Sequence, residues 1–433
     1  MKKTLISSFV CAAFVVFSSG ASAETLQNVY QTALKKDPQV LKAAAQRDAA
    51  NAAIDIRKAA FLPSIAFQSK IGKSREGFTD NMSSWGTGYT NTVSVSQSIF
   101  DWADWENLSN AEKQALQGQT NYNAELQYLI VRVSQAYFDV LKASDDLTFV
   151  VAEKRAVERQ LEQTKQRFAV GLTAITDVHE AQAQFDSVVA REISATNALE
   201  NARESLQQIT GEYYSNLSPL NTSKFKATEP QPAKAVDWVG IAESNNLDIK
   251  VRQLALEIAD NNIDIATSGH YPTLSLGATK TLSDTSSTRQ FNQDSVGLTL
   301  SVPIYAGGAT EANADVQRAN YVSAGEDLEL THRAVLKQIR VSFNNIGASI
   351  ASIKALEQAV VSAESALKAT EAGFEVGTRN IVEVLNSTRN LFEARRNLST
   401  ARYNYILAVL SLKQAAGTLT EEDLSIVNSA LGN

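Results

Sequence analysis

Few residues in this sequence have the types and spacing that catalysis or metal binding requires. The three histidines, His179, His270 and His332, are scattered without ligand spacing. The chain contains no HExxH, P-loop, GxGxxG or GxSxG motif. Asp101 and Asp104 could form a metal pair, but acidic residues are also favoured at a helix start by the helix dipole. We therefore expect no enzyme activity, no metal and no cofactor.

Charge and composition exclude further classes of protein. The chain has 40 basic and 47 acidic residues and a net charge of -7, without a basic block that could bind a phosphate backbone. Nucleic acid is therefore not an expected partner. Only 7 of the 433 residues are proline and 20 are glycine, which favours long uninterrupted helices.

The first 23 residues have the pattern of a cleaved export signal. Two lysines precede an apolar run at residues 5–17, and Ala21-Ser22-Ala23 suits signal-peptidase cleavage. Residues 1–23 are therefore predicted to be a signal peptide, and the mature chain to begin at Glu24. No later apolar run is long enough for a transmembrane helix, so a membrane protein with this sequence would have to be a barrel.

One large unit occurs twice in the chain. Phe168-Ala169-Val170-Gly171 returns as Phe374-Glu375-Val376-Gly377, and the same shift aligns Gly211 with Gly417. Chance rarely keeps a register over this length, so we predict a tandem duplication. The predicted first repeat spans residues 24–211 and the second 241–417. A linker at residues 212–240 joins them, and residues 418–433 form a C-terminal tail.

Each repeat is predicted to contain a helix, a β-hairpin, a long helix and a return helix. Apolar residues from Leu126 onward follow the a/d spacing of a coiled-coil seam. A helix over residues 101–170 would be about 105 Å long and would have to stand in water. Gly171 and Gly377 would end the long helices, because glycine readily adopts the left-handed conformation just beyond a helix end.

The two hairpins, at about residues 63–99 and 273–304, alternate apolar residues with serine and threonine. In the last strand the alternation runs from Val296 through Val302 to Ile304. Each strand is about ten residues long, which suffices to cross a bilayer at a tilt. An ordinary antiparallel sheet with one solvent-exposed face would show the same alternation.

Aromatic residues at the strand ends nearest the helices favour a membrane barrel with an interfacial girdle. They are Phe61, Phe100, Trp102, Trp105, Tyr271 and Tyr305. Four strands cannot close a barrel, which needs about eight, so the chain must oligomerise.

Four segments resemble the TolC family of outer-membrane efflux and secretion channels, the outer membrane factors. They are residues 168–178, 374–384, 301–308 (Ser-Val-Pro-Ile-Tyr-Ala-Gly-Gly) and 401–405 (Ala-Arg-Tyr-Asn-Tyr). The resemblance implies a mainly α fold with membrane β-structure. In a homotrimer, four strands from each chain would form one twelve-stranded barrel, continued by a long α-helical coiled-coil barrel.

The resemblance also implies a location and a function. The chain would lie in the outer membrane of a Gram-negative bacterium and extend into the periplasm. It would be the passive exit duct of tripartite multidrug efflux pumps and type I secretion systems. The implied partners are a periplasmic adaptor (membrane fusion) protein, an inner-membrane RND, MFS or ABC transporter, and outer-membrane lipid.

Family resemblance further assigns roles to residues at the helix turns. The gate positions are Thr176, Asp177, Phe374, Arg379, Glu383 and Asn386. The adaptor-docking tips are Val170, Gly171, Leu172 and Thr173 in the first repeat, and Val376, Gly377, Thr378 and Arg379 in the second. Arg379 would bind Asp177 through two charge-assisted hydrogen bonds and hold the pore shut. Taken alone, Asp177 could be an exposed acidic residue at a helix start.

Two features of the gate depart from the family's pattern. Phe374 stands where the family channel has a tyrosine, so a hydroxyl link to the aspartate of the first repeat cannot form. Glu383 and Asn386 stand where it has two aspartates, which leaves three carboxylates per trimer instead of six. We therefore expect a weaker latch and a weaker attraction of cations.

The sequence is compatible with two other functions. A non-conducting trimeric coiled-coil surface protein would not need serine and threonine on one face of all four strands. A general diffusion porin is disfavoured by the small number of strands per chain and by the short hairpin loops.

Overall fold

The computed structural model describes residues 23–75, 85–285 and 288–432, so the predicted signal peptide lies outside the described residues except for Ala23. In the first half, the helices are α1 (Leu26–Lys36), α2 (Pro38–Lys58), α3 (Trp102–Ala169) and α4 (Ile175–Thr210), and the strands are β1 (Ser64–Arg75) and β2 (Trp85–Phe100). The second half has α5 (Ala235–Asn245), α6 (Leu247–Thr267), β3 (Thr273–Thr285), β4 (Thr288–Ser301), α7 (Ala309–Glu375) and α8 (Ile381–Ala415), and α9 (Glu421–Ser429) follows. Both halves therefore have the same order of elements: two helices, two strands, a long helix and a return helix.

The two long helices start and stop at residues suited to those positions. α3 has 68 residues and α7 has 67, so each is about 100 Å long. The Asp101 carboxylate caps α3 by accepting a hydrogen bond from the Ala103 N–H at 2.9 Å. Just beyond the helix ends, Gly171 and Gly377 have φ of +78° and +80°, the left-handed conformation expected from the sequence.

The four strands form one antiparallel sheet in the order β1-β2-β3-β4. The pairing of β2 with β3 joins the two hairpins, and the register places Ile65, Val95, Ala278 and Val296 in one row across the sheet. The apolar residues of all four strands therefore share a face. On the opposite face, hydroxyl groups pair across strands, as between Thr279 and Ser295 at 2.6 Å.

The last strand is shorter than the alternation predicted. β4 ends at Ser301, so Val302 and Ile304 lie beyond the sheet. Pro303 has no N–H to donate to a strand ladder, which explains why the pairing stops there. Gly308, with φ of +81°, then leads into α7.

The apolar face of the sheet is exposed along both edge strands. Its side chains are between 65% and 78% exposed. They are Ile65, Phe67 and Ile71 in β1, and Val296, Leu298 and Leu300 in β4. An exposed apolar strand with free backbone groups is a surface that another chain or a membrane normally covers.

The helices bury two separate apolar clusters. The larger one packs the middle of the long helices against α1, α5 and the return helices, and contains the fully buried Tyr137, Phe138 and Leu410. The smaller one lies near the helix turns and contains Val188 and Ile381. Among the described residues, no helix combines the length and the apolar character needed to cross a membrane.

Candidate gate and docking tips

The turns that follow the two long helices have the same hydrogen bonds. After α3, the N–H of Gly171 donates to the carbonyl of Phe168 at 2.9 Å, and that of Leu172 donates to Arg167 at 2.8 Å. The residues 206 positions later repeat both bonds, at 3.2 Å and 2.8 Å. This is the pattern of a glycine-ended helix, and it satisfies carbonyls that would otherwise lack a partner.

Apolar side chains project from both turns. Val170, Leu172 and Val376 are 70%, 68% and 75% exposed. Thr378 is exposed beside them, whereas Thr173 is half-buried. All the residues predicted to dock an adaptor thus lie on these two tips, and the docking itself stays a prediction.

Asp177 lies in the first turn of α4 and is half-buried. Its carboxylate accepts a hydrogen bond from the hydroxyl of Thr173 in the preceding turn. Thr176 is exposed next to it. The carboxylate is therefore bonded within its own helical hairpin.

Arg379 lies in the other turn, where its side chain folds back over Gly373. A Cβ atom added to Gly373 would lie 2.6 Å from Cγ of Arg379, so only glycine fits there without displacing the arginine. Nη1 of Arg379 donates to Oε2 of Glu383 at 2.5 Å. The N–H of Glu383 donates to Oδ1 of Asn380, which caps α8, at 3.0 Å. Asn386 is exposed one turn further.

The structure thus brings Arg379 to Glu383 within one chain, and not to Asp177. In the part of the chain that the structure describes, each of the two predicted latch groups contacts its own hairpin. The latch between them stays a prediction, and in an assembly it would join neighbouring copies. Among the same residues, no group of three or more His, Cys, Asp or Glu side chains is placed to hold a metal ion.

Phe374 has a different environment from the one expected of a gate residue. It is only 8% exposed and belongs to the smaller apolar cluster. The guanidinium carbon of Arg167, at the end of α3, lies 4.7 Å from the centre of its ring. Sequence reasoning did not identify Arg167. The available signal was that the repeat register aligns Arg167 with a residue that has no side chain, Gly373.

A buried ion pair stiffens the hairpin of α3 and α4 above its tip. The Glu153 side chain is 1% exposed and accepts two hydrogen bonds from Arg191, at 2.6 Å and 3.0 Å. Next to it, Lys154 and Glu192 form a more exposed pair at 2.6 Å. Because a two-pronged arginine–carboxylate pair fixes both distance and orientation, it sets how the two helices lie against each other.

We expect Glu153→Ala to destabilise the protein by about 2–3 kcal/mol. Losing one partner of a buried pair costs about 3–5 kcal/mol, and the value is smaller here because Arg191 is 33% exposed and partly hydrated. Denaturant unfolding of the purified protein measures the change. Glu192→Ala, in the neighbouring exposed pair, should cost no more than about 1 kcal/mol. Equal losses in the two variants would contradict a special role for the buried pair.

The predicted girdle aromatics cluster where the sheet meets the helices. The rings of Phe61 and Trp105 lie 4.7 Å apart, and those of Trp102 and Tyr271 lie 6.3 Å apart, edge to face. Tyr305 is 86% exposed. Exposed aromatic rings at the junction of the sheet and the helices are suited to a membrane interface.

The profile of the outer membrane efflux protein family matches residues 29–212 and 238–418. The chain belongs to this family. It is 45% identical over 436 residues to outer membrane protein TolC of Vibrio cholerae serotype O1, covering 99% of both chains. It is 44% identical to TolC of Escherichia coli K12, covering 96% of this chain and 86% of that one.

Solved structures show the same fold. The channel CusC superposes with a TM-score of 0.80 at 18% identity, covering 91% of this chain and 92% of that chain. VceC of Vibrio cholerae superposes with a TM-score of 0.78 at 20% identity, covering 90% of this chain and 96% of that chain.

Membership of the outer membrane efflux protein family confirms the predicted family, the fold class and the outer-membrane location. It also confirms the predicted role as an exit duct. Family and fold are those of channels and not of enzymes. No finding favours the coiled-coil surface protein or the general diffusion porin.

Proposed function

We propose that three copies of this chain form one exit duct, with four strands from each copy closing a twelve-stranded barrel. The observation that carries this proposal is the open four-stranded sheet, whose two edge strands expose apolar side chains that are 65–78% accessible. Pairing β1 of one copy with β4 of the next removes both edges. Lipid then covers the apolar face, and the hydroxyl-lined face surrounds the pore.

Below the barrel, the helices continue the duct as a tunnel through the periplasm. α3 and α7 reach about 100 Å each, well beyond the thickness of a membrane. The matched order of elements and the two matches to the family profile support our proposal of a tandem duplication, with repeats at residues 24–211 and 241–417. Because each chain has two similar helical hairpins, a trimer has six of them around the tunnel.

The partners are a periplasmic adaptor protein at the exposed tips and an inner-membrane RND, MFS or ABC transporter that supplies energy. The apolar side chains of Val170, Leu172 and Val376 support docking of an adaptor's helical hairpin, because they project into water at the end of the rods. Relatives include the alkaline protease secretion protein AprF and the cobalt-zinc-cadmium resistance protein CzcC. Their names support roles in type I secretion and efflux. The duct acts without catalysis or a cofactor.

The pore is closed at the tips by Arg379 of one copy and Asp177 of its neighbour. Arg379 is 59% exposed and so is accessible to another copy. The Asp177 carboxylate has further acceptor positions beyond the bond from Thr173. Three such contacts, related by symmetry, would hold a constriction that an adaptor can still open.

Deleting the gene tests this function. We expect the deletion strain to become sensitive to detergents, dyes and bile salts, and a plasmid copy to restore resistance. The purified protein should require detergent, run as a trimer and form channels in planar bilayers. Unchanged sensitivity, together with a monomer that stays in solution without detergent, would contradict the proposed function.

A further inference from the structure

Among the positions at which the two tips of one chain differ, two matching pairs concern arginines. Arg167 and Gly373 are aligned by the repeat, as are Thr173 and Arg379 six residues later in each turn. In the second tip, Arg379 folds over Gly373 and occupies the space where a side chain would be. In the first tip, the short Thr173 leaves the arginine at position 167 free to extend away from its own turn.

Arg167 extends to the other hairpin. Its guanidinium stacks 4.7 Å from the centre of the Phe374 ring, and Nη1 donates to the Phe374 carbonyl at 3.4 Å. Its Nε is buried and has no hydrogen-bond partner among the described residues. The stacked ring is therefore the main feature that holds this guanidinium in place.

Phe374, the aromatic partner of Arg167, is much less exposed than its counterpart in the first repeat. Phe374 is 8% exposed, whereas Phe168, at the matching position of the first repeat, is 42% exposed. Arg167 covers one part of the Phe374 ring, and the smaller apolar cluster packs against the rest. A phenylalanine suffices there, since the contact uses the face of the ring and no hydroxyl.

The contact between Arg167 and Phe374 is the one nearest the tip in a series that joins α3 to the second helical hairpin, formed by α7 and α8. Asp146 pairs with Arg396 at 2.5 Å. Asp145 accepts a hydrogen bond from the hydroxyl of Tyr403 at 2.9 Å, and burial, together with this carboxylate, raises the pKa of that tyrosine.

Nearer the tip, Nε2 of Gln160 donates to the hydroxyl of the fully buried Thr388 at 3.0 Å. Arg167 lies seven residues beyond Gln160, two turns further down α3. The end of α7, which carries the Arg379 turn, is thus tied to α3 through Arg167.

We propose that Arg167 is a positioning residue of the gate, which holds the Arg379 turn of each chain in its closed place by stacking on Phe374. The proposal rests on the exit-duct function above. When the second hairpin moves outward, this contact is the first in the series to separate, because it lies at the free end of the helices. Arg167 does not itself line the constriction.

The test is single-channel conductance of the full chain in planar bilayers. Arg167→Gln removes the charge and the stacking, and we expect the open population to rise about two- to tenfold, as loss of a partly buried cation–π contact implies. Arg167→Lys keeps the charge but not the planar group. Its open population should lie between those of the wild type and Arg167→Gln. Arg159→Gln is the matched control, since Arg159 is an exposed arginine on the same helix.

A double variant tests the contact itself. Phe374→Leu keeps an apolar side chain but removes the ring, and should raise the open population as Arg167→Gln does. Because both changes remove one contact, their effects should not add in the double variant. For Arg167→Gln and Arg167→Lys, the thermal stability of the trimer should stay within the range of Arg159→Gln, which separates positioning from folding. If Arg167→Gln does not assemble, Arg167→Lys and Phe374→Leu give the same comparison.

Conductance of Arg167→Gln equal to that of Arg159→Gln, or additive effects in the double variant, would overturn the proposal. A wild-type protein that conducts normally in that experiment leaves the exit-duct function intact. A wild-type protein that does not conduct at all would instead count against the exit duct.

Discussion

The Gly417→Ala variant is expected to lose about 2–5 kcal/mol of stability. Gly417 has φ of +72°, which costs an alanine about 1–2 kcal/mol. An added Cβ would also collide with the backbone of the α5–α6 corner: it would meet the carbonyl oxygen of Asn245 and lie 2.8 Å from Cα of Asn246. Overpacking against backbone adds about 1–3 kcal/mol, because neither segment can move away freely.

The corner that Gly417 touches is firmly held. Asn246 is 3% exposed, caps α6 by accepting from the N–H of Ile249 at 3.0 Å, and donates to the carbonyl of Ala415 at 2.8 Å. Any shift that relieves the collision would break these bonds. Thermal unfolding of the purified trimer should therefore show a clearly lower melting temperature.

Gly171→Ala is the matched control for Gly417→Ala. Gly171 has nearly the same φ, +78°, but among the described residues beyond its two chain neighbours no atom lies within 4 Å of the position of its Cβ. Its loss should be about 1–2 kcal/mol, from the backbone conformation alone. If the two variants lost equal stability, the close approach at Gly417 would have no energetic role.

The Arg379→Ser variant is expected to conduct more than the wild type. If Arg379 holds the closed tip through charge-assisted hydrogen bonds, its removal should shift the ratio of open to closed states about three- to tenfold. The upper end is limited because Arg379 is 59% exposed and therefore partly hydrated. Single-channel recording measures the change, and Arg379→Lys, which keeps a charge, should show a smaller one.

Two further variants identify the partner of Arg379. Within one chain it is Glu383, at 2.5 Å, whereas the proposed latch uses Asp177 of a neighbouring copy. If the latch holds the gate, Asp177→Asn should raise conductance as Arg379→Ser does, and the double variant should add little. If Glu383→Gln alone has that effect, the arginine acts within its own chain, through the start of α8. Unchanged conductance in Arg379→Ser would remove Arg379 from the gate.

At position 374 the chain has a phenylalanine where the family channel has a tyrosine, and the sequence predicts only part of what this change does. The missing hydroxyl correctly excludes a hydrogen bond from that side chain. It does not reveal that the ring lies against Arg167, since the two residues are 207 positions apart and no local pattern places them in contact. The prediction of a weaker latch therefore left out the contact that Arg167 makes with Phe374.

Local features of the sequence determined the elements of this protein. The glycines at 171 and 377, the alternating strands and the heptad spacing each depend on φ and ψ preferences or on a repeat within a few residues, and they reappear in the structure. Tertiary structure alone decided which residues meet: Glu153 with Arg191, Arg167 with Phe374, and Gly417 with the α5–α6 corner. These contacts depend on the rotation and stagger of one helix against another, and those quantities are set by the packing of the whole core and not by the residues nearby in the chain.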